Sequence, residues 1–291
     1  MVCIVCGAQQ APGLASWHAT CPSCAYESGA LADAINRPGN AARVDEEVRE
    51  AGLKAIRMAN FAEIVAVARR FAPMGGRKLL DVGSAHGWFL EAAQGSFDVL
   101  GIEPDEVTGQ RAAQRGLPVR PGYFPQALAE GERFDVIVFN DVIEHIPRID
   151  AALSACFDRL NPDGILILNL PSSRGFFYRL SKILARTGWR APFERLWQKD
   201  LPSPHVHYFR PDNLAQLVAA HGFSLVHSAE LPALRAKGLL ERLRCAGNMP
   251  LLSLYAQYTA GLCAIPLLRA FPSDIILCIF RKKAAGDDAC G

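Results

Sequence analysis

The chain of 291 residues has no excess of either charge: 31 Lys and Arg stand against 29 Asp and Glu, a formal net charge of +2. A balance that close to neutral gives no argument for a nucleic-acid partner, so any electrostatic clue must come from local clustering. The N-terminus lacks a basic stretch followed by an apolar one, so no secretory leader is expected and a cytoplasmic location follows. The composition is not that of a disordered chain either, with 50% hydrophobic and 21% charged residues. Its length suits one large core, or one core with a small appended module.

Cysteine, by contrast, is plentiful and unevenly placed. Four of the nine fall in the first 24 residues, as Cys3-x-x-Cys6 and Cys21-x-x-Cys24. Two such pairs separated by a short loop read as a tetrahedral zinc site, because thiolates on two tight turns can converge on one ion. Gly7 and Pro22-Ser23 supply the turn chemistry. Unrelated thiol pairs or disulfides are the blander alternative.

Arg37-Pro38-Gly39-Asn40 marks a linker. From Ala41 to Phe71, Val44, Val48, Ile56, Ile64, Val65, Ala68 and Phe71 recur at helical spacing, which predicts one or two amphipathic helices stopped by Pro73-Met74-Gly75-Gly76. Short apolar runs then alternate with helical stretches, the pattern of βαβ units. Strands are expected at Lys78–Val82, Val99–Glu103, Val119-Arg120, Asp135–Asn140, Ile165–Leu170, Phe223–His227 and Ile275–Phe280. A doubly wound domain of this kind keeps its ligand crevice at the carboxyl ends of its strands.

The first of these strands runs into Asp81-Val82-Gly83-Ser84-Ala85-His86-Gly87-Trp88, a strand, a glycine turn and a helix start. Such a turn brings backbone N–H groups close to a bound cofactor. Glu103 closes the next strand twenty residues after Gly83, an offset at which a carboxylate can accept both ribose hydroxyls of an adenosine. Further on, the chain reads Asp135-Val136-Ile137-Val138-Phe139-Asn140-Asp141, then Glu144-His145, then Asn161-Pro162-Asp163-Gly164 before the fifth strand. Taken in order, these motifs resemble those of class I S-adenosylmethionine-dependent methyltransferases, and are similar to the small-molecule group that includes the ubiquinone-biosynthesis O-methyltransferases. The resemblance covers about residues 77–228 and the last strand.

It implies an α/β fold with a doubly wound, mostly parallel seven-stranded Rossmann-like sheet. The zinc ribbon would occupy residues 1–36 and a linker with N-terminal helices 37–76. The methyltransferase domain would span 77–283, with cap insertions at 172–204 and 231–272, before a disordered tail, 284–291. By the same resemblance Asp81, Gly83, Ser84, Ala85, Gly87 and Trp88 form the cofactor loop, with Glu103 and Pro104 at the ribose. Tyr123 and Phe124 lie by the adenine, and Asn140 and Asp141 at the amino-acid end. Ala85 stands where a middle glycine is usual; a methyl is tolerated there if φ stays negative.

The catalytic candidates are His145, His205 and His207. Asp141 and Glu144 also have the spacing of a capping box, and alternation points His205 and His207 to one side of an extended segment. The expected function is methyl transfer to a small-molecule or glycan- or lipid-linked hydroxyl. S-adenosylmethionine and structural Zn2+ are the expected cofactors. An RNA- or protein-binding ribbon scaffold on a vestigial nucleotide-binding domain is the alternative. A nicotinamide dehydrogenase would share Glu103, but the loop is G-x-x-x-G, not G-x-G-x-x-G.

Residues 172–204 carry seven basic residues and six aromatics. Arg179, Lys182, Arg186 and Arg190 are expected on one helix face opposite Leu180, Ile183 and Leu184. Such a lid suits an anionic acceptor, a nucleotide-sugar or lipid-linked phosphate, or else an anionic membrane surface. Cys245 to Leu268 has no charged residue and reads first as buried cap or dimer helices, second as interfacial membrane contact.

Overall fold

The continuous apolar runs of the sequence become the centre of one seven-stranded sheet in the computed structural model, which describes residues 1–32, 46–245 and 249–284. The expected linker turn at 37–40 and nearly all of the expected tail lie outside the described residues. The sheet strands are β4 (Lys78–Val82), β5 (Asp98–Glu103), β6 (Val119–Pro121), β7 (Phe134–Asn140), β8 (Leu160–Pro171), β10 (Phe223–Leu231) and β11 (Ile275–Lys282). They lie in the order β10-β11-β8-β7-β4-β5-β6. Only β11 runs antiparallel to its neighbours. All seven expected strands are present; β8 and β10 extend well past their expected ends.

Both faces of the central strands are buried, which is why their sequences are apolar without alternation. Ile137 and Phe139 of β7 point into one core, shared with Leu153 of α4 (Ile149–Arg159) and with Leu214 and Leu217 of α7 (Pro211–Ala219). Val136 and Val138 point into the other. There they meet Phe61 and Ile64 of α1 (Glu46–Phe71) and Phe89 of α2 (Trp88–Ala93). The N-terminal helical region is thus one helix of 26 residues. The remaining helices are α3 (Glu106–Gln114), α5 (Phe176–Arg186), α6 (Ala191–Leu196), α8 (Leu239–Cys245) and α9 (Leu251–Leu268).

The cysteine-bearing segment is joined to this body by a shared strand. Strands β1 (Ala11–Pro12), β2 (His18–Thr20) and β3 (Glu27–Gly29) form a small antiparallel sheet. Its fourth strand, β9 (His207–Tyr208), comes from the segment after the lid and pairs Glu27 with Tyr208. Side chains reinforce the join. Trp17 stacks on Phe193 at 5.8 Å between ring centroids, and Tyr178 on Tyr208 at 4.2 Å. The buried Glu27 carboxylate accepts from His18 Nε2 (2.9 Å), Tyr178 Oη (2.8 Å) and Lys182 Nζ (2.7 Å). Burial opposes its ionisation, but the His18 hydrogen bond and Lys182 outweigh it and hold Glu27 below the usual carboxylate range.

Two expectations about the lid need correction here. Tyr178, Phe193 and Trp197 are buried against the cysteine-bearing N-terminal segment, not offered to an acceptor. Arg190 lies beyond α5, because that helix ends at Arg186 and Arg190 caps α6.

Candidate functional site

The carboxyl ends of β4, β7 and β8 carry a buried polar ladder. Asn169 Nδ2 donates to Asn140 Oδ1 (3.5 Å) and Asn140 Nδ2 donates to Asp81 Oδ1 (3.3 Å). Burial pushes the Asp81 carboxyl up to about 8; the Asn140 hydrogen bond opposes that and the charge of Glu103 adds to it. A buried acid held this way favours a cation as its next neighbour, since a cation would stabilise the carboxylate that burial disfavours.

Packing against the body and a left-handed backbone both require glycine at the two ends of the loop after β4. Gly83 and Gly87 both have φ of 71°. A Cβ on Gly83 would sit 2.6 Å from a Val142 methyl, and one on Gly87 would strike Leu117. Gly101 on β5 leaves room for Ser84, whose buried hydroxyl has no hydrogen-bond partner among the described residues.

Glu103, also buried, accepts from Ala85 N–H (2.7 Å) and Asp105 N–H (2.8 Å). Burial raises its pKa against those two bonds. Each of its oxygens has a second lone pair, which a ribose hydroxyl can use. Gly122 N–H donates to the Glu103 carbonyl (3.0 Å), placing the following loop beside the strand end. There Tyr123 is exposed, and Phe124 packs edge-on against Phe139. Pro104 is half-buried next to Glu103.

Ala85 departs from expectation: its φ is +44°, not negative. Turning its N–H onto Glu103 between two left-handed glycines requires it. A left-handed alanine is strained by about 1–3 kcal/mol. Ala85→Gly is therefore expected to raise stability by about 1 kcal/mol, after the extra entropy glycine gains in the unfolded chain. Denaturant unfolding checks this, and an unchanged midpoint would mean the loop relaxes at no cost. Trp88 is buried with Phe61 and Phe89, and its ring stacks on His86 of the loop at 4.7 Å between centroids.

The opposite wall starts at Asp141, which pairs with Arg57 of α1 at 3.3 Å. No capping box forms: Ile143–His145 is a single 3-10 turn capped by Val142 without a side-chain bond. Glu144 is buried, and neither of its oxygens has a hydrogen-bond partner among the described residues. Burial, and the nearby charge of Asp141, push its pKa well above the usual carboxylate range. His145 and His205 each bring Nε2 to 3.9 Å from Glu144 Oε1. His145 Nδ1–H donates to the Pro204 carbonyl (2.9 Å), and this tautomer puts the lone pair on Nε2. His205 is buried beside Gln198 (2.8 Å), and burial drives its pKa well below the usual value.

His207 is a structural residue. Nε2 donates to the Ile146 carbonyl (3.0 Å) and Nδ1 accepts from Tyr26 Oη, which ties the cysteine-bearing segment to the body. Both nitrogens are engaged, and burial lowers its pKa to about 4, so it is not placed to take a substrate proton.

Cys3, Cys6, Cys21 and Cys24 bring their sulfurs within 4.8 Å of one another, with Cys3–Cys24 and Cys6–Cys21 at 3.5 Å. None is in a disulfide. Four thiolates bound to zinc at about 2.3 Å are separated by about 3.8 Å, so the cluster has the dimensions of such a site. Sequence reading gave no role to Arg57 or Asn169. Their partners lie across the fold, and no local spacing marks them.

The family model for a methyltransferase domain matches residues 45–228. Among curated proteins, the ubiquinone biosynthesis O-methyltransferase of Paramagnetospirillum magneticum is 29% identical over 53% of this chain and 61% of its own length. That of Haemophilus ducreyi is 34% identical over 32% and 45%, and the mitochondrial enzyme of Bos taurus 25% identical over 57% and 46%. The chain spans about half the length of the curated relatives it matches. Among solved structures, a SAM-dependent methyltransferase from Thermotoga maritima superposes with a TM-score of 0.54 at 16% identity, over 83% of this chain and 96% of that one. A cyclopropane synthase from Mycobacterium tuberculosis gives 0.52 at 18% identity, over 76% and 83%. At those identities the two structures speak for the fold alone. The family match covers more than half of the chain, and the chain belongs to the methyltransferase-domain family, as a class I S-adenosylmethionine-dependent member with the Rossmann-like sheet.

Proposed function

We propose that the chain methylates a hydroxyl of an anionic small molecule, glycan or lipid-linked acceptor, with a structural zinc ribbon bracing the acceptor side. The observation that carries this reading is the pairing of a cation-seeking Asp81 with the buried Glu103 carboxylate across the Gly83–Gly87 turn. Asp81, the loop amides and Glu103 would hold S-adenosylmethionine, which when bound supplies an electrophilic methyl on sulfur. The residues present fit that group: a buried acid for its ammonium, an unpartnered Ser84 hydroxyl, and a carboxylate for its ribose.

On the acceptor side His145 is the base we assign, because it stands in the turn after β7 beside Asp141 and its Nδ1 is anchored on the Pro204 carbonyl, which orients the ring. Asp141 would be held by Arg57 at the rim. The anionic character of the acceptor is supported by three arginines from three elements. Arg242 on α8 is an exposed residue whose guanidinium is partly desolvated, and that desolvation, with repulsion from Arg195 on α6 and Arg57 on α1, lowers its pKa. Guanidiniums gathered against their own repulsion suit a carboxylate or phosphate. The O-methyltransferase names of the curated relatives support a hydroxyl acceptor.

Calorimetric titration of the full chain tests this reading. Saturable binding of S-adenosylmethionine and of its demethylated product is expected, with about one zinc per chain by metal analysis. A folded protein that binds neither nucleoside would overturn the methyl-transfer reading, and one without zinc would overturn the ribbon.

A further inference from the structure

The apolar surface of this protein is concentrated on its two insertions. Helix α9 has no charged residue over 18 positions, yet only Leu254 is buried among them. Leu251, Leu252 and Leu267 are 72%, 85% and 68% exposed. Its apolar residues run round the whole helix and not along one stripe. A single partner helix would cover one stripe and leave the rest in water, whereas a lipid phase surrounds it.

Helix α5 adds to the same surface. Its buried face is Tyr178, Ser181 and Ala185, while Phe177, Leu180 and Ile183 are turned outward beside the exposed Arg179 and Arg186. The two helices meet where Phe271, just past α9, lies 4.9 Å from the Phe176 ring and Phe176 N–H donates to the Pro272 carbonyl.

Charge selects the occupant. Residues 172–204 and 231–272 together hold twelve Lys and Arg against three Asp and Glu, in a chain of formal net charge +2. The rest of the chain is therefore net acidic, and the apolar surface lies within its basic part. Arg244 and Arg269 flank α9, and Arg179 and Arg186 flank the outward residues of α5; all four are exposed. Topology excludes a span. Leu231 and Ile275, the two ends of the excursion, are paired neighbours on β10 and β11. A helix of 18 residues would carry the chain about 27 Å across, and α8, with 7 residues, is too short to bring it back.

We propose that α9 and the outer face of α5 form a monotopic contact surface that sinks into the acyl boundary of one leaflet of an anionic bilayer without crossing it. The apolar residues would enter the acyl boundary and the arginines would meet lipid phosphates. This inference rests on exposure, charge and topology, not on the methyl-transfer reading, so it can fail or hold independently of cofactor binding.

Vesicle co-sedimentation of the full chain tests it, with phosphatidylcholine alone and with phosphatidylcholine plus phosphatidylglycerol. Binding to the anionic vesicles is expected, weakened at least about tenfold by high salt, as surface attraction to each Lys or Arg is screened. Leu251→Asp with Leu252→Asp should lower the partition by about tenfold or more while far-UV circular dichroism and cofactor affinity stay unchanged. Trp189 is 60% exposed, and the other three tryptophans are not exposed, so its emission should shift to the blue on binding and the shift should vanish in Trp189→Phe. Absence of sedimentation with either vesicle overturns the proposal. If light scattering then shows a dimer that the double substitution dissolves, the occupant is a second copy of the chain.

Discussion

Asp81→Asn is expected to weaken S-adenosylmethionine binding by about 10- to 100-fold near pH 8, the worth of one charge-assisted hydrogen bond to a buried carboxylate. The larger signature is in the pH dependence of the native protein. With its carboxyl pushed up to about 8, Asp81 carries a proton at neutral pH in the free protein. An ammonium beside it would favour the carboxylate, so binding must expel that proton. Affinity should then rise about tenfold per pH unit between pH 6 and 8 and level off above, with about one proton released per cofactor bound. Calorimetry in buffers of different ionisation heat counts the proton directly. A pH-independent affinity in the native protein would show that Asp81 is already ionised and that the ladder from Asn169 and Asn140 outweighs burial.

The same shift has a sign for stability. Folding raises the Asp81 pKa above its unfolded value, so between about pH 4 and 8 the folded chain holds a proton that the unfolded chain has lost. The unliganded protein should lose stability across that window as pH rises. Bound cofactor should restore it, so the thermal shift on adding cofactor should grow with pH. Asp81→Asn cannot titrate and should flatten both trends.

The sheet was legible because β4, β7 and β8 are buried on both faces, which leaves long apolar runs that no solvated helix tolerates. Glu103 was legible because the strand–turn–helix geometry fixes its distance along the chain from Gly83. What could not be read is the conformation of a single residue. Ala85 looks like evidence against a left-handed φ, and only the N–H bond to Glu103 explains it. His207 was misassigned for a non-local reason, as its partner Tyr26 lies 181 residues away, just before β3, which pairs with β9 of the body. For α5 the sequence shows two chemically distinct faces, but a helical pattern cannot say which one faces inward. The answer came from Glu27 and the ribbon, which draw the Tyr178 and Lys182 side in.

That carboxylate should accordingly be the most expensive single atom group to remove. Glu27→Ala leaves His18 Nε2–H, the Tyr178 hydroxyl and the Lys182 ammonium without their acceptor, in a place where Tyr178 and His18 are buried. Removing one partner from a buried ionic cluster costs about 3–5 kcal/mol. Glu27→Gln keeps an acceptor but loses the charge, and should cost less. The pH dependence runs opposite to that of Asp81. Folding depresses the Glu27 pKa, so its contribution is present above the unfolded carboxylate value and is lost as pH falls through the folded one. Trp17 and Trp197, packed 5.4 Å apart in this join, report its opening by fluorescence. In denaturant, Glu27→Ala should shift that signal before the cofactor-side sheet melts. A cost under about 1 kcal/mol would mean that the shared strand β3–β9 and the aromatic stack hold the ribbon on the lid, with the buried charge cluster contributing only to its specificity.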